Sequence, residues 1–262
     1  MTALSPSIRA AAALALALWL NPVGLRGQQA GQNAPPPHGA PGTQLILHSG
    51  LHVAAGPLAE RFGVSNTIGV GIRRTTASGW RLGAHYRFQT GADVREPGLL
   101  QNLRDPNGHL IDNEGRIALV SAQQRGTLLH LSIGRKWVLG GSTPETGLIA
   151  ECGVGFWEHK IHFQNRGNRV TQLEAPHVAG YDRRTGGGLL LPRIGWEHHS
   201  PSGQVRFQFG LEGLVGRMVA GRDWNADTQS VDDVPRWDAA LGVFAGWILR
   251  LQARTSSVDY YY

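Results

Sequence analysis

From Trp237 to Leu251 the chain reads Trp-Asp-Ala-Ala-Leu-Gly-Val-Phe-Ala-Gly-Trp-Ile-Leu-Arg-Leu. Taking every second residue separates two surfaces. Trp237, Ala239, Leu241, Val243, Ala245, Trp247, Leu249 and Leu251 are all apolar. Asp238, Ala240, Gly242, Phe244, Gly246, Ile248 and Arg250 are small or charged at most positions. A period of two is the signature of a β-strand. A strand of a soluble sandwich buries its apolar face and wets the other. Here the apolar face carries Trp at both ends, and the opposite face holds glycines and charges. That combination predicts a membrane-spanning barrel strand, with lipid outside and a polar lumen inside.

The same alternation recurs. In one segment Val205, Phe207, Phe209 and Leu211 face away from Gln204, Arg206, Gln208 and Glu212. In others Trp80, Leu82, Ala84, Tyr86 and Phe88 alternate with Arg81, Gly83, His85 and Arg87, and Leu129, Leu131 and Ile133 with His130, Ser132 and Gly134. Eight segments follow, near 43–55, 66–77, 79–90, 125–139, 147–163, 187–199, 203–218 and 236–252. The predicted fold class is all-β, an eight-stranded antiparallel transmembrane up-and-down β-barrel. A lipocalin-like barrel or a sandwich is the soluble alternative, and it needs an apolar interior where this chain places Gly, His and Arg.

The connections alternate in length. Those after the second, fourth and sixth segments are tight, at 77–79, 140–146 and 200–203, whereas those after the third, fifth and seventh span 91–124, 164–186 and 219–235. Outer-membrane barrels have short periplasmic turns and long extracellular loops, so both termini are expected in the periplasm. Aromatic residues provide a second line of argument. Trp80, Trp137, Trp196 and Trp247 fall near the short-turn rim, and Tyr86, Phe88, Phe156 and Trp237 near the loop rim. Two girdles are expected because amphipathic rings settle at headgroup depth.

At the amino end Arg9, an apolar run over 10–20, Asn21-Pro22 and a small-residue exit at Gly27-Gln28 predict a secretory signal peptide over 1–27. Residues 28–42, rich in Pro, Gly and Gln, are expected to form a flexible periplasmic leader, and 253–262 a short tail ending in Tyr-Tyr-Tyr. Removing Arg9 and Arg26 lowers the formal charge from +6 to +4, too little and too scattered for a nucleic-acid binder. The single Cys152 lies on an apolar face and is expected to be a small buried hydrophobe.

Four stretches, Pro57–Gly63, Asn102–Asn113, Gly180–Arg184 and Arg222–Asn225, resemble segments of outer-membrane barrel proteins of Bacteroidota-type bacteria, over the chain from about Thr43 onward. In architecture the chain is similar to small OmpA-like barrels and to barrel accessories of the type IX secretion system. The resemblance implies an outer-membrane location and no settled biochemical activity.

The interior positions are rich in ionisable groups: Arg73, Arg81, His85, Arg87, His130, Glu151, Arg193, Glu197, Arg206, Glu212, Asp238 and Arg250, with His48, His52 and Lys136 beside them. An eight-stranded barrel is just wide enough for side chains to fill it, so these charges are expected to pair into a plug. The alternative is a narrow channel, which needs connected water. His198-His199-Ser200 with Glu212 resembles the His-x-Ser plus distant Glu of lipid A deacylases, and a Ser activated by His and a carboxylate is sound chemistry. Against it, these residues fall at a periplasmic turn, with His198 facing lipid.

Asp223-Trp-Asn-Ala-Asp227 has half of a calcium-loop spacing but lacks the following Gly and the terminal Glu, so no metal is expected. Asp105-Pro-Asn-Gly108 and Asp112-Asn-Glu-Gly115 read as turn formers, as in a hairpin projecting above the membrane. Arg166, Arg169, Arg183 and Arg184 cluster in a long loop as an anion-binding candidate for lipopolysaccharide phosphates or a partner's carboxylates. No cofactor motif is present. The expected partners are outer-membrane lipid, lipopolysaccharide and other envelope proteins.

Overall fold

The computed structural model describes residues 42–139, 146–165, 170–200, 206–222, 224–231 and 234–251. The expected signal peptide, the leader as far as Pro41 and the tail lie outside these residues, as do Arg166, Arg169 and Asp223. Eight strands form a closed ring: β1 (Gly42–Ala55), β2 (Val64–Thr75), β3 (Trp80–Gly91), β4 (Val120–Val138), β5 (Gly147–Asn165), β6 (Thr185–His199), β7 (Arg206–Ala220) and β8 (Arg236–Leu251). Every neighbouring pair is antiparallel, and β8 closes on β1. The expected all-β barrel of eight antiparallel strands is therefore the observed one.

The ring is staggered. Stepping from Gly42 through Thr75, Arg81, Gly134, Glu151, Arg193, Glu212 and Gly242 leads back to β1 at His52, ten residues further along. Such a stagger tilts the strands and sets the bore, and with eight strands the bore is filled by side chains. One strand carries an interior proline. Pro192 on β6 pairs with Cys152, but the β6–β7 ladder skips it, because proline has no N–H to donate. Gly213 faces the ring, whose Cγ lies 3.6 Å from where a Cβ would stand.

β4 and β5 are longer than the alternation predicts. Val120–Gln123 pair with Phe163, Gln164, Asn165 and His162 on β5, whereas β3 stops at Gly91 opposite Gln124 and β6 starts at Thr185 opposite His159. The two strands thus form a ribbon standing above their neighbours. Its sequence, Val-Ser-Ala-Gln-Gln, shows only a weak stripe: Val120 and Ala122 pack inward against the core that holds Ile161 and Phe163, while Ser121 and Gln123 take the polar outer positions.

The outer face of the ring is a band of exposed aliphatic side chains contributed by every strand: Leu51, Ile68, Leu82, Leu131, Val154, Ile194, Leu211 and Val243. Trp80, Trp137 and Trp247 stand exposed at the short-turn end, with Trp196 half-buried. The Arg135 guanidinium lies 5.9 Å from the Trp80 ring centre. Phe88, Phe156 and Trp237 stand exposed towards the loop end. Tyr86 sits lower than expected, opposite Val70 in the middle of β2. Cys152 is half-buried and free, not a buried core residue, because it lies on this outer face.

Candidate functional site: the filled lumen and the loop cap

The inward face has three levels. Nearest the short turns lies a charge plug built from five strands. Glu197 (β6) holds Arg73 (β2) at 3.0 Å, Arg81 (β3) at 2.6 Å and Lys136 (β4) at 2.8 Å, and its Oε1 lies 2.7 Å from His199 Nε2. Glu151 (β5) meets Arg81 at 3.0 Å and both Arg73 and Arg193 at 3.5 Å. Arg73 also donates to Gln44 at 2.6 Å and to Gln208 at 2.8 Å. Arg206 is buried at this level, and Arg250 is half-buried at the end of β8.

The waist is centred on Glu212. It accepts from Arg87 at 2.7 Å, lies 2.9 Å from His52 Nε2 and 3.3 Å from Arg193 Nη2. The Arg193 guanidinium also covers the Phe244 ring at 4.8 Å. Beside it three imidazoles pack together. His48 Nε2 lies 2.9 Å from His85 Nδ1, His85 stacks on His130 with 4.8 Å between centroids, and His85 Nε2 lies 2.9 Å from Ser132. Among the described residues no group of three or more His, Cys, Asp or Glu is arranged to hold a metal ion.

Above the waist the interior turns apolar, which corrects the expectation of a polar lumen throughout. Leu128, Trp157, Ile161, Leu189, Leu191, Leu214 and Met218 are buried in one cluster. The physical reason is the lid over them. Leu58 and Phe62 from the first loop, Leu100 and Leu110 from the second, and Val170, Leu173 and Tyr181 from the third join the same cluster, so this part of the bore is shielded from water. Two buried polar side chains at this level have local partners. Trp157 donates its indole N–H to Gln89 at 2.8 Å, and His159 Nε2 lies 2.9 Å from Asp238, which also meets Arg236 at 3.3 Å.

An ion network ties the lid together and takes one member from each long loop. Arg61 of the first loop pairs with Glu96 of the second. Glu96 lies 3.8 Å from Arg183 of the third, and Arg183 pairs with Asp227 of the fourth at 3.0 Å. Asp227 also accepts from the Leu100 amide at 3.2 Å. Burial pushes the Asp227 carboxyl above its ordinary value, opposed by that amide and by Arg183. Arg222 meets Asp182 at 3.0 Å, and this hydrogen bond raises the Arg222 guanidinium further above its ordinary value.

Several expected roles change in this light. Arg183 and Arg184 do not form an open anion site, because Arg183 is spent on Asp227 and Glu96, and Arg184 on Glu158 at 2.6 Å. Asp227 of the calcium-like spacing is likewise engaged by a guanidinium. Asp105 and Asp112 do cap turns: each carboxylate accepts two backbone N–H groups, from Asn107 and His109 and from Glu114 and Arg116, at 2.8 to 3.0 Å. The turned segment does not project freely, since Leu110 between the two turns is buried in the lid core.

His198, Ser200 and Glu212 are not brought together. His198 points outward, its ring 5.0 Å from Phe207, and it is His199 that points inward. The register sets His199 opposite Arg206 but Glu212 opposite Arg193, well up the barrel from Ser200. Missed in the sequence were Trp157, His159 and the lid residues Leu58 and Phe62. Strand parity does place Trp157 and His159 inside, opposite Leu128 and Gly126, so that signal was present.

No family model and no curated protein matches the sequence. Among solved structures the chain is similar to Neisserial surface protein A, at 8% identity and a TM-score of 0.45, covering 80% of this chain and 97% of that one. It is also similar to the N-terminal β-barrel domain of Pseudomonas aeruginosa OprF, at 10% identity and a TM-score of 0.35, covering 79% and 97%. A third is Ail, the attachment invasion locus protein of Yersinia pestis, solved in complex with the heparin analogue sucrose octasulfate. It has 9% identity and a TM-score of 0.37, covering 80% and 98%.

Proposed function

We propose that this chain is an integral outer-membrane β-barrel protein without catalytic activity. Its bore is plugged, and it works through the lid at the cell surface, either alone or as an accessory subunit of a secretion or assembly machine of a Bacteroidota-type envelope. The observation that carries this reading is the filled interior beneath a lid tied across all four long loops. Such an interior leaves the lid exterior as the surface free to meet another molecule.

The membrane assignment is supported by the exposed aliphatic band, which runs through every strand and is far larger than a water-facing surface tolerates. A closed ring also satisfies the backbone without edges, as spanning a bilayer by strands demands. In this reading the short turns and both chain ends face the periplasm. Neither other function gains support from the geometry. A deacylase needs Glu212 near Ser200, and a channel needs a wet path through the apolar level.

The test is direct. The protein should fractionate with the outer membrane and migrate as a heat-modifiable band, and the purified barrel should give no unit conductance in planar bilayers. Recovery as a soluble monomer without detergent would overturn the location, and steady unit conductance would overturn the plugged bore.

A further inference from the structure

At the loop end, the outer wall between β4 and β7 carries charges that the fold itself does not use. The register sets Arg125 directly opposite Lys160, with His162 two positions further along the same face. Like charges directly opposite one another destabilise a strand pair unless an anion lies between them. Glu158 is the nearby carboxylate on that face, and Arg184 already holds it at 2.6 Å. Two strands away Arg217 stands exposed on β7, opposite Gly188 of β6 and Trp237 of β8. Among the described residues, neither Arg125, Lys160 nor Arg217 has an ion-pair partner.

Between these cations the wall is indented. Phe156, Gly188, Arg217 and Trp237 are consecutive partners across β5 to β8, and the Phe156 ring leans towards Gly186, leaving the surface over Gly188 uncovered. A Cβ added at Gly188 would meet nothing within 4 Å, so no packing in the chain requires a glycine there. Glycine inside a strand weakens it, and leaving room for a ligand to approach closely is one of the reasons a strand keeps one. Just below lie Leu190 and Val154, both exposed members of the aliphatic band. Cations, an open recess and an aliphatic surface thus follow one another down the wall.

We propose that this rim binds the phosphate-bearing headgroup of a glycolipid in the outer leaflet. Arg125 and Lys160 take one phosphate, Arg217 takes a second, the headgroup sits over Gly188, and the acyl chains run down over Leu190 and Val154. Two phosphates are called for because Arg217 lies two strands across from Lys160, about 10 Å, and level with Phe156, four residues or about 13 Å down β5. Ammonium and guanidinium groups both bind phosphate, Arg with the more specific geometry. The proposal rests on the outer-membrane reading, with the loop end outward.

The experiment uses the full barrel reconstituted in nanodiscs. Affinity is measured for lipopolysaccharide, for the same glycolipid stripped of its phosphates, and for inorganic phosphate. The intact glycolipid should bind, and the stripped one should bind weakly. Arg217→Gln should weaken binding about tenfold, the size expected for losing one charge-assisted contact, and Arg125→Gln with Lys160→Gln, which removes two, by more than that. Gly188→Phe should weaken it as much with unchanged heat-modifiability, since its side chain enters open space. Arg74→Gln with Arg135→Gln, at the opposite rim, should have no effect.

Equal binding of the stripped glycolipid, or full binding by the rim variants, would overturn the proposal. Competition by inorganic phosphate at similar concentration would overturn the lipid assignment in favour of a small-anion site. Loss confined to the Arg74 and Arg135 variant would overturn it too, by showing the barrel inverted. Failure of the unaltered protein to enter bilayers at all would instead defeat the membrane reading on which it stands.

Discussion

Glu197 receives three cations and an imidazole on its two oxygens, at a depth where no water competes. Removing one partner of a buried pair costs about 3–5 kcal/mol, largely because the charge left behind is uncompensated. Glu197→Ala leaves Arg73, Arg81 and Lys136 facing one another with Glu151 as their remaining carboxylate. It should lower barrel stability by about that amount in urea unfolding from detergent micelles. Glu197→Gln, which retains acceptor and donor atoms, should lose less. A loss within about 0.5 kcal/mol for the Ala variant, typical of surface changes, would mean that the plug contributes little to stability. Strand parity predicts that these groups share the interior. It carries no information on partner choice, which depends on the stagger of the ring: Arg73 and Glu197 are far apart in sequence and meet because β2 and β6 face each other across the bore.

β8 tests the two faces as an element. Val243 is exposed on the outer wall, and a charge facing lipid near mid-bilayer costs about 2–4 kcal/mol for Arg. Val243→Arg should sharply reduce the heat-modifiable fraction at matched expression. The inward neighbour is no safer. A Cβ at Gly242 would stand 2.1 Å from the Leu51 carbonyl oxygen, so Gly242→Ser should also impair folding, through backbone collision rather than polarity. Normal folding of the Arg variant would mean that this face never meets lipid. The strands were legible because one of their faces is continuously apolar. The ribbon extension of β4 and β5 was not, because its outer face stands above the aliphatic band and is polar, and its inner Val120, Ala122 and Phe163 find apolar neighbours only in the lid. The lid was not legible either. Leu58, Leu100, Leu110 and Leu173 are single or paired apolar residues in polar loops, without a strand period, and only tertiary folding gathers them. Arg183 and Arg184 looked available because their acidic partners, Glu96, Asp227 and Glu158, lie on other segments.

For the whole molecule, plug and lid are separate closures at different depths. Glu96→Ala removes the carboxylate that bridges Arg61 and Arg183 and so loosens the second loop, which the Leu100 and Asn102 hydrogen bonds to Asp227 and Ala226 still hold. The variant should be cut faster by trypsin within residues 92–119 of the folded, reconstituted protein. It should stay heat-modifiable and non-conducting, because the Glu197 and Glu212 levels lie below. Channel openings in that variant would place the true barrier in the lid.

The ring has a further consequence in time. Seven of its eight pairings join strands adjacent in sequence and can form as soon as each hairpin exists, but the β1–β8 ladder joins the two ends of the barrel and has to come last. Until it forms, both terminal strands present unpaired edges, which are templates for pairing with another chain. The same seam aligns Gly42 with His52 around the ring, so a slip there would set Arg81, Glu151, Arg193 and Glu212 at the wrong heights. The ion pairs of the bore therefore act as a proofreading device, rewarding closure in one register and penalising the others.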